Sequence, residues 1–140
     1  QTLELIETFH YPIQGWGLAY DGSWLYMSDG SAVLYRLDPD TFGIVGKVEV
    51  RDEHGPVARL NELEFVEGFL YANVWRDDRI ARIDPASGKV VAWIDLGGLL
   101  QESASGAGVL NGIAHDPSTG HLLVTGKLWP KLFAIDIVKR

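Results

Sequence analysis

The sequence predicts an all-β protein built as a run of β-propeller blades, and three observations carry that expectation. Three segments of the 140-residue chain align with one another, and matched positions recur roughly every 45–50 residues, the length of one blade. Short apolar runs within each segment are bounded by turn-forming residues, four runs in each of the first two segments. No stretch keeps the apolar period of a helix.

Taken in order, Leu3 to Phe9 (within a segment 1–10) reads as the outer strand of a preceding blade, because it matches the later runs Val45 to Val50 and Val90 to Leu96. The first blade, 15–50, comprises Gly15-Trp16-Gly17-Leu18-Ala19-Tyr20, Leu25 to Gly30, Leu34-Tyr35-Arg36-Leu37 and Ile44 to Val50. The second, 60–97, comprises Leu60-Asn61-Glu62-Leu63-Glu64-Phe65, Leu70 to Trp75, Ile80-Ala81-Arg82-Ile83 and Val90 to Leu96. An incomplete last blade, 110–140, comprises Leu110-Asn111-Gly112-Ile113-Ala114-His115, Leu122 to Lys127 and Leu132 to Asp136. The punctuation between runs is turn chemistry: Asp21-Gly22, Asp29-Gly30, Asp38-Pro39-Asp40, Glu67-Gly68, Asp84-Pro85 and Asp116-Pro117. Gln101 to Gly108 is small and polar and reads as a loop between the second and third blades.

This is one partial propeller of about three four-stranded blades. A closed ring takes about 4–8 blades. The chain is therefore expected to belong to a larger ring, and to pair with a complementary propeller fragment or with a second copy of itself.

Composition narrows the function. Apolar residues make up 46% and charged residues 22%, the proportions of a soluble globular domain. A net charge of -7 without a basic stripe argues against nucleic acid and anionic membrane as partners, and no apolar run reaches the ~18 residues of a spanning helix. The absence of cysteine excludes disulfides, thiol chemistry and Cys-ligated zinc. His10, His54, His115 and His121 lack metal-ligand spacing, so no metal is expected and these side chains are assigned to surface or packing roles. A mature secreted or periplasmic protein would look like this chain.

The chemistry is expected at one mouth of the ring. In a four-stranded blade, the connection into strand one and the turn leaving strand two lie at the same end. Trp16, Asn61 and Asn111 occupy the first of these registers; Gly30, Trp75 and Lys127 occupy the second. The repeats agree in their core, as at Leu18, Leu63 and Ile113, and differ at the mouth. That pattern points to one asymmetric pocket with aromatic walls and a few polar groups, which suits a small ligand. Taken singly, these residues also fit blander roles: the tryptophans in a core or interface, the asparagines in a turn or bulge, Lys127 as a solvated edge lysine. Glu62 and Glu64 sit one strand period apart and share a face. With Asn61 in the channel-facing register, both are expected to point away from the mouth.

The segments Gly15-Trp16-Gly17-Leu18, Leu60-Asn61-Glu62-Leu63-Glu64, Ala72-Asn73-Val74-Trp75, Leu110-Asn111-Gly112-Ile113-Ala114 and Val124 to Phe133 resemble glutaminyl cyclases of the plant and bacterial type. The resemblance implies a five-bladed propeller and an enzyme that closes N-terminal glutamine to pyroglutamate with release of ammonia. Its substrates would be peptides or proteins beginning with Gln, and no cofactor is required. Catalytic roles for Asn61 and Lys127 and substrate-binding roles for Trp16, Trp75 and Asn111 follow. The resemblance also implies that the catalytic glutamate lies in a Gly-Glu-Gly-Leu motif of an earlier blade; here the corresponding motif reads Gly15-Trp16-Gly17-Leu18. Two other readings stand beside this one: a non-catalytic propeller scaffold for binding, and a calcium-dependent lactonase. The latter would need carboxylates converging on a metal, where the mouth offers Trp and Lys.

Overall fold

A computed structural model describes residues 2–100 and 106–138. Among them the chain is all β, with no helix. Strands β1 (Gly17–Tyr20), β2 (Leu25–Ser28), β3 (Val33–Leu37) and β4 (Ile44–Glu49) form the first antiparallel sheet. A short ribbon follows, β5 (Arg51–Asp52) with β6 (Gly55–Pro56). The second sheet runs β7 (Leu60–Val66), β8 (Phe69–Val74), β9 (Arg79–Ile83) and β10 (Val90–Asp95). The third has three strands, β11 (Leu110–His115), β12 (Leu122–Gly126) and β13 (Phe133–Ile135). Each large sheet is a meander in which consecutive strands pair.

Aspartate carboxylates close the turns. Asp21 Oδ1 accepts the N–H groups of Ser23 and Trp24 at 2.7 and 2.6 Å. Asp38, Asp84 and Asp116 hold the N–H two residues ahead at 2.9–3.0 Å. Such a side chain imitates the backbone of a turn and fixes the reversal locally.

The core lies between sheets. Ala19, Tyr26 and Leu34 of the first sheet pack with Leu60, Leu63, Leu70, Ala72, Val74, Ala81 and Ile83 of the second. The opposite face of the second sheet sends Val66, Tyr71 and Ile80 against Leu110, Ile113, Leu122 and Val124 of the third. Alternation along β8 serves both interfaces: Leu70, Ala72 and Val74 face one way, Tyr71 and Asn73 the other. Full burial of a large aliphatic side chain contributes about 1.5–3 kcal/mol, so these two interfaces hold the sheets together.

Two local expectations need correction. Leu3 to Phe9 forms no ladder, and Leu3, Leu5 and Ile6 are fully exposed. An alternating pattern marks a strand's faces but supplies no partner for its N–H and C=O groups, and no described strand edge meets this segment. Phe9 instead stacks on Phe42, with ring centroids 4.0 Å apart. The second correction is at the start of β7. Leu60 pairs with Val74 and Leu63 with Ala72, so Asn61 and Glu62 together oppose Asn73 in a β-bulge. A bulge breaks period-two alternation, and Asn61 and Glu62 do not lie where simple counting puts them. Of the loop expected over Gln101 to Gly108, residues 101–105 lie outside the described residues, as do 139 and 140 of the last segment; 106–108 carry no strand.

Candidate active site

The mouth positions all fall at one end of their sheets, because each pairs the start of strand one with the end of strand two. The Trp16 N–H donates to the Ser28 carbonyl at 2.9 Å, and the Trp75 N–H donates to the Arg59 carbonyl at 2.8 Å. Lys127 repeats the Trp75 arrangement in the third sheet: its N–H donates to Val109 at 2.9 Å and its carbonyl accepts from Gly108 at 2.7 Å. Arg59, Arg76 and Leu128 beside these positions hold φ of 66, 65 and 59°, a left-handed backbone that non-glycine residues adopt at a cost.

Trp16 and Trp75 are brought into direct contact, edge to face, with ring centroids 6.0 Å apart and planes at 84°, a favoured aromatic geometry. Gly30 makes room for this pair: a Cβ there would lie 2.7 Å from the Trp16 ring. On the Trp75 ring the Arg76 guanidinium sits 4.4 Å from the centroid, a cation–π contact.

Asn61 is buried in the bulge, and its carbonyl accepts a 2.6 Å hydrogen bond from the Ser28 hydroxyl of the first sheet. Gly17 permits this approach, since a Cβ there would sit 2.2 Å from the same carbonyl oxygen. In the third sheet, Asn111 and Gly112 form the matching bulge between Leu110 and Ile113. The Gly112 N–H donates to Asn73 Oδ1 at 2.9 Å, and Asn111 Oδ1 is buried without a hydrogen-bond partner among the described residues. Lys127 stands exposed one residue beyond β12. Beside it, the Trp129 ring lies under Gly126 and its Nε1 donates to the Gly108 carbonyl at 2.8 Å. The structure thus joins the two tryptophans directly, sets Asn61 at the seam of the first and second sheets, and leaves Asn111 and Lys127 on the third.

Sequence counting missed Glu62. Its side chain is half-buried and lines a hollow of about 370 Å³ together with Trp16, Gly17, Leu18, Met27 and Tyr11. Burial, and then the neighbouring Glu64 carboxylate, push its pKa up, against a smaller opposing hydrogen bond from the Leu63 backbone. Glu64 faces the third sheet, where Oε1 accepts the His115 N–H at 2.9 Å. A signal for Glu62 was present in the repeat: its matched residues are Gly17 and Gly112.

Aromatic walls, a half-buried carboxyl group whose pKa is raised and the amide side chains of two bulges can hold a small polar substrate and exchange a proton. Among the described residues, no group of three or more His, Asp or Glu converges as a metal site.

Comparison with known proteins identifies the family. The chain matches the family described as glutamine cyclotransferase over residues 1–137. It is 48% identical to the glutaminyl-peptide cyclotransferase of Arabidopsis thaliana over 132 residues, covering 91% of this chain and 41% of that protein. It superposes on the crystal structure of Myxococcus xanthus glutaminyl cyclase with a TM-score of 0.80 at 41% identity, covering 91% of this chain and 57% of that one. A hydrazine synthase from Kuenenia stuttgartiensis shares the fold alone, with a TM-score of 0.62 at 18% identity. The chain spans well under two thirds of the length of its closely similar relatives, yet the family match runs through every sheet and every mouth position described above. The chain belongs to the glutamine cyclotransferase family.

Proposed function

We propose that this chain forms one side of the active site of a glutaminyl-peptide cyclotransferase, in which its three sheets are consecutive blades of a five-bladed propeller. The observation that carries the proposal is the edge-to-face Trp16–Trp75 pair across two neighbouring sheets, in a chain 48% identical to a protein of that activity. The substrates would be peptides or proteins with N-terminal Gln, met in a secreted or periplasmic setting.

The reaction is intramolecular. The α-amine attacks the side-chain carboxamide carbon, a five-membered ring closes, and ammonia leaves. The protein's main task is to hold the glutamine in the cyclising conformer. Trp16 and Trp75 clamp the side chain. Asn61 and Lys127 polarise the carboxamide and stabilise the oxyanion that develops on it, with Asn111 alongside. Proton transfer from the amine to the departing nitrogen is the task of the glutamate that the resemblance places in another blade. The chemistry asks for no cofactor.

Ammonia release from a Gln-initiated peptide tests this reading. In the complete protein carrying this chain, Asn61→Ala and Lys127→Ala should each lower kcat/KM by about 10²–10³-fold, the cost of losing one oxyanion donor. Wild-type rates in both variants would refute the assignment. The 140-residue chain alone should be slower than the complete protein by at least about 10²-fold, because a general acid/base is typically worth that much.

A further inference from the structure

The turn that leaves strand two of the second sheet holds a charged side chain where the backbone favours glycine. The Asp77 N–H donates to the Val74 carbonyl at 2.9 Å and closes a reverse turn around Trp75 and Arg76. Arg76 stands third in that turn at φ 65°, a left-handed backbone that a residue with a Cβ adopts at a cost. The third sheet repeats the turn: the Trp129 N–H donates to the Gly126 carbonyl at 3.2 Å, and Leu128 holds φ 59°. The matched residue there is apolar, so the turn itself asks for no cation.

The surroundings of Arg76 indicate what the cation does. Its guanidinium lies 4.4 Å from the centroid of the Trp75 ring, and Trp75 meets Trp16 edge to face. Stacking occupies one face of a guanidinium and leaves its N–H edge available. No acid of this chain takes that edge: Arg76 is exposed and makes no salt bridge among the described residues. The nearest acid along the chain, Asp77, is held through both oxygens by Arg79, at 3.0 and 2.7 Å. Arg59, whose carbonyl accepts the Trp75 N–H at 2.8 Å, adds a second exposed cation at this end of the sheet. A guanidinium fork braced on a ring, with no carboxylate of its own, fits one supplied by a ligand. We propose that Arg76 is a specificity-determining residue that binds an acidic side chain of the substrate just after its N-terminal glutamine. The assignment rests on the cyclotransferase reading above, in which Trp16 and Trp75 clamp that glutamine. An extended peptide advances roughly 3.5 Å per residue, so a guanidinium stacked on the clamp meets the second or third residue. The favoured substrates are therefore peptides with Asp or Glu at one of those places.

The test uses the complete protein and two pairs of peptides with amidated C-termini: Gln-Glu-Ala against Gln-Gln-Ala, and Gln-Ala-Glu against Gln-Ala-Gln. Ammonia release should give the wild type a kcat/KM about 3–10-fold higher for the glutamate peptide in at least one pair, the worth of a partly exposed bidentate ion pair. The difference should lie in KM rather than kcat. Arg76→Gln should bring that ratio close to 1. Arg76→Gly, which suits the left-handed turn, should do the same and guards against a merely misfolded variant. Lys89→Gln, an equal charge change in the turn between β9 and β10 at the other end of the sheet, should leave the ratio as in the wild type. An arginine that only braces Trp75 would, when replaced, slow both peptides of a pair alike and leave their ratio unchanged. That result, or a wild type that prefers neither glutamate peptide, overturns the assignment while the cyclotransferase reading stands. If the wild type releases no ammonia from any of the four peptides, the reading fails and this assignment with it.

Discussion

The second sheet and the first are built from the same repeat, yet they live in different surroundings. Leu63 and Leu18 occupy matched positions; Leu63 is 1% exposed and Leu18 is 52% exposed. Leu63 packs toward the first sheet and its counterpart Ile113 packs toward the second, so each of these residues faces the sheet that precedes its own. Leu18 follows the same rule and finds only the hollow beside Tyr11 and Met27. The repeat therefore encodes an interface as much as a sheet. A residue's burial depends on its neighbour in the array, not on its own strand.

The largest expected effect breaks that comparison directly. Leu63→Ala should cost about 2–5 kcal/mol in chemical denaturation, as a large-to-small change in a packed core does, while Leu18→Ala in the same chain should stay within about 0.5 kcal/mol. Equal losses would show that the first sheet is packed on both faces in solution. Two of the inter-sheet hydrogen bonds give a smaller contrast. Asn73→Ala leaves the part-buried Gly112 N–H without its partner and should cost about 1–3 kcal/mol; Ser28→Ala removes one of the bonds at the first seam and should cost about 1 kcal/mol.

Acidity sharpens the comparison further. The folded-state pKa of Glu62 is raised above its ordinary 4.5, so its contribution to stability is complete below that value and is lost as pH rises through the folded pKa. Glu62→Gln should accordingly raise Tm near neutral pH, with the gain vanishing below about pH 4; a Tm series across pH checks the sign. The smallest effect is local. Hydrogen bonds from the Ser118 and Thr119 hydroxyls, then the Ser118 backbone, lower the Asp116 pKa to about 2. Its support of the β11–β12 turn is present above the ordinary value of 3.8 and is lost as pH falls through about 2. A carboxyl NMR titration that placed Asp116 near 3.8 would remove that turn's anchor.

The strands were legible because their signals are local. Alternation in Tyr35-Arg36-Leu37 and the Asp-Pro turns need only neighbouring residues to act, and the sheets appear at those places. Comparing the repeats with one another marks Trp16 and Trp75 as positions where they differ, and the two rings are in contact. What stayed hidden is decided at a distance. The Ser28 and Asn73 bonds join residues 33 and 39 positions apart, and nothing near either residue announces its partner. Glu62 was misplaced for a different reason: strict alternation was applied across a bulge. The partnerless Leu3 to Phe9 segment shows the converse limit, a strand pattern without a ladder.

The ties between sheets have a direction and a key. The Ser28 hydroxyl donates a hydrogen bond forward to a carbonyl of the next sheet's bulge, whereas the Asn73 side-chain oxygen, at the matched position, accepts one from an N–H of the next bulge. The two seams therefore use different bonds, like successive links cut to different gauges. Replacing one unit by a copy of its neighbour would change the bond at that joint, a hydroxyl–carbonyl tie giving way to one between an N–H and a side-chain amide oxygen. Sheets built from one repeat thereby come to differ at the joints between them.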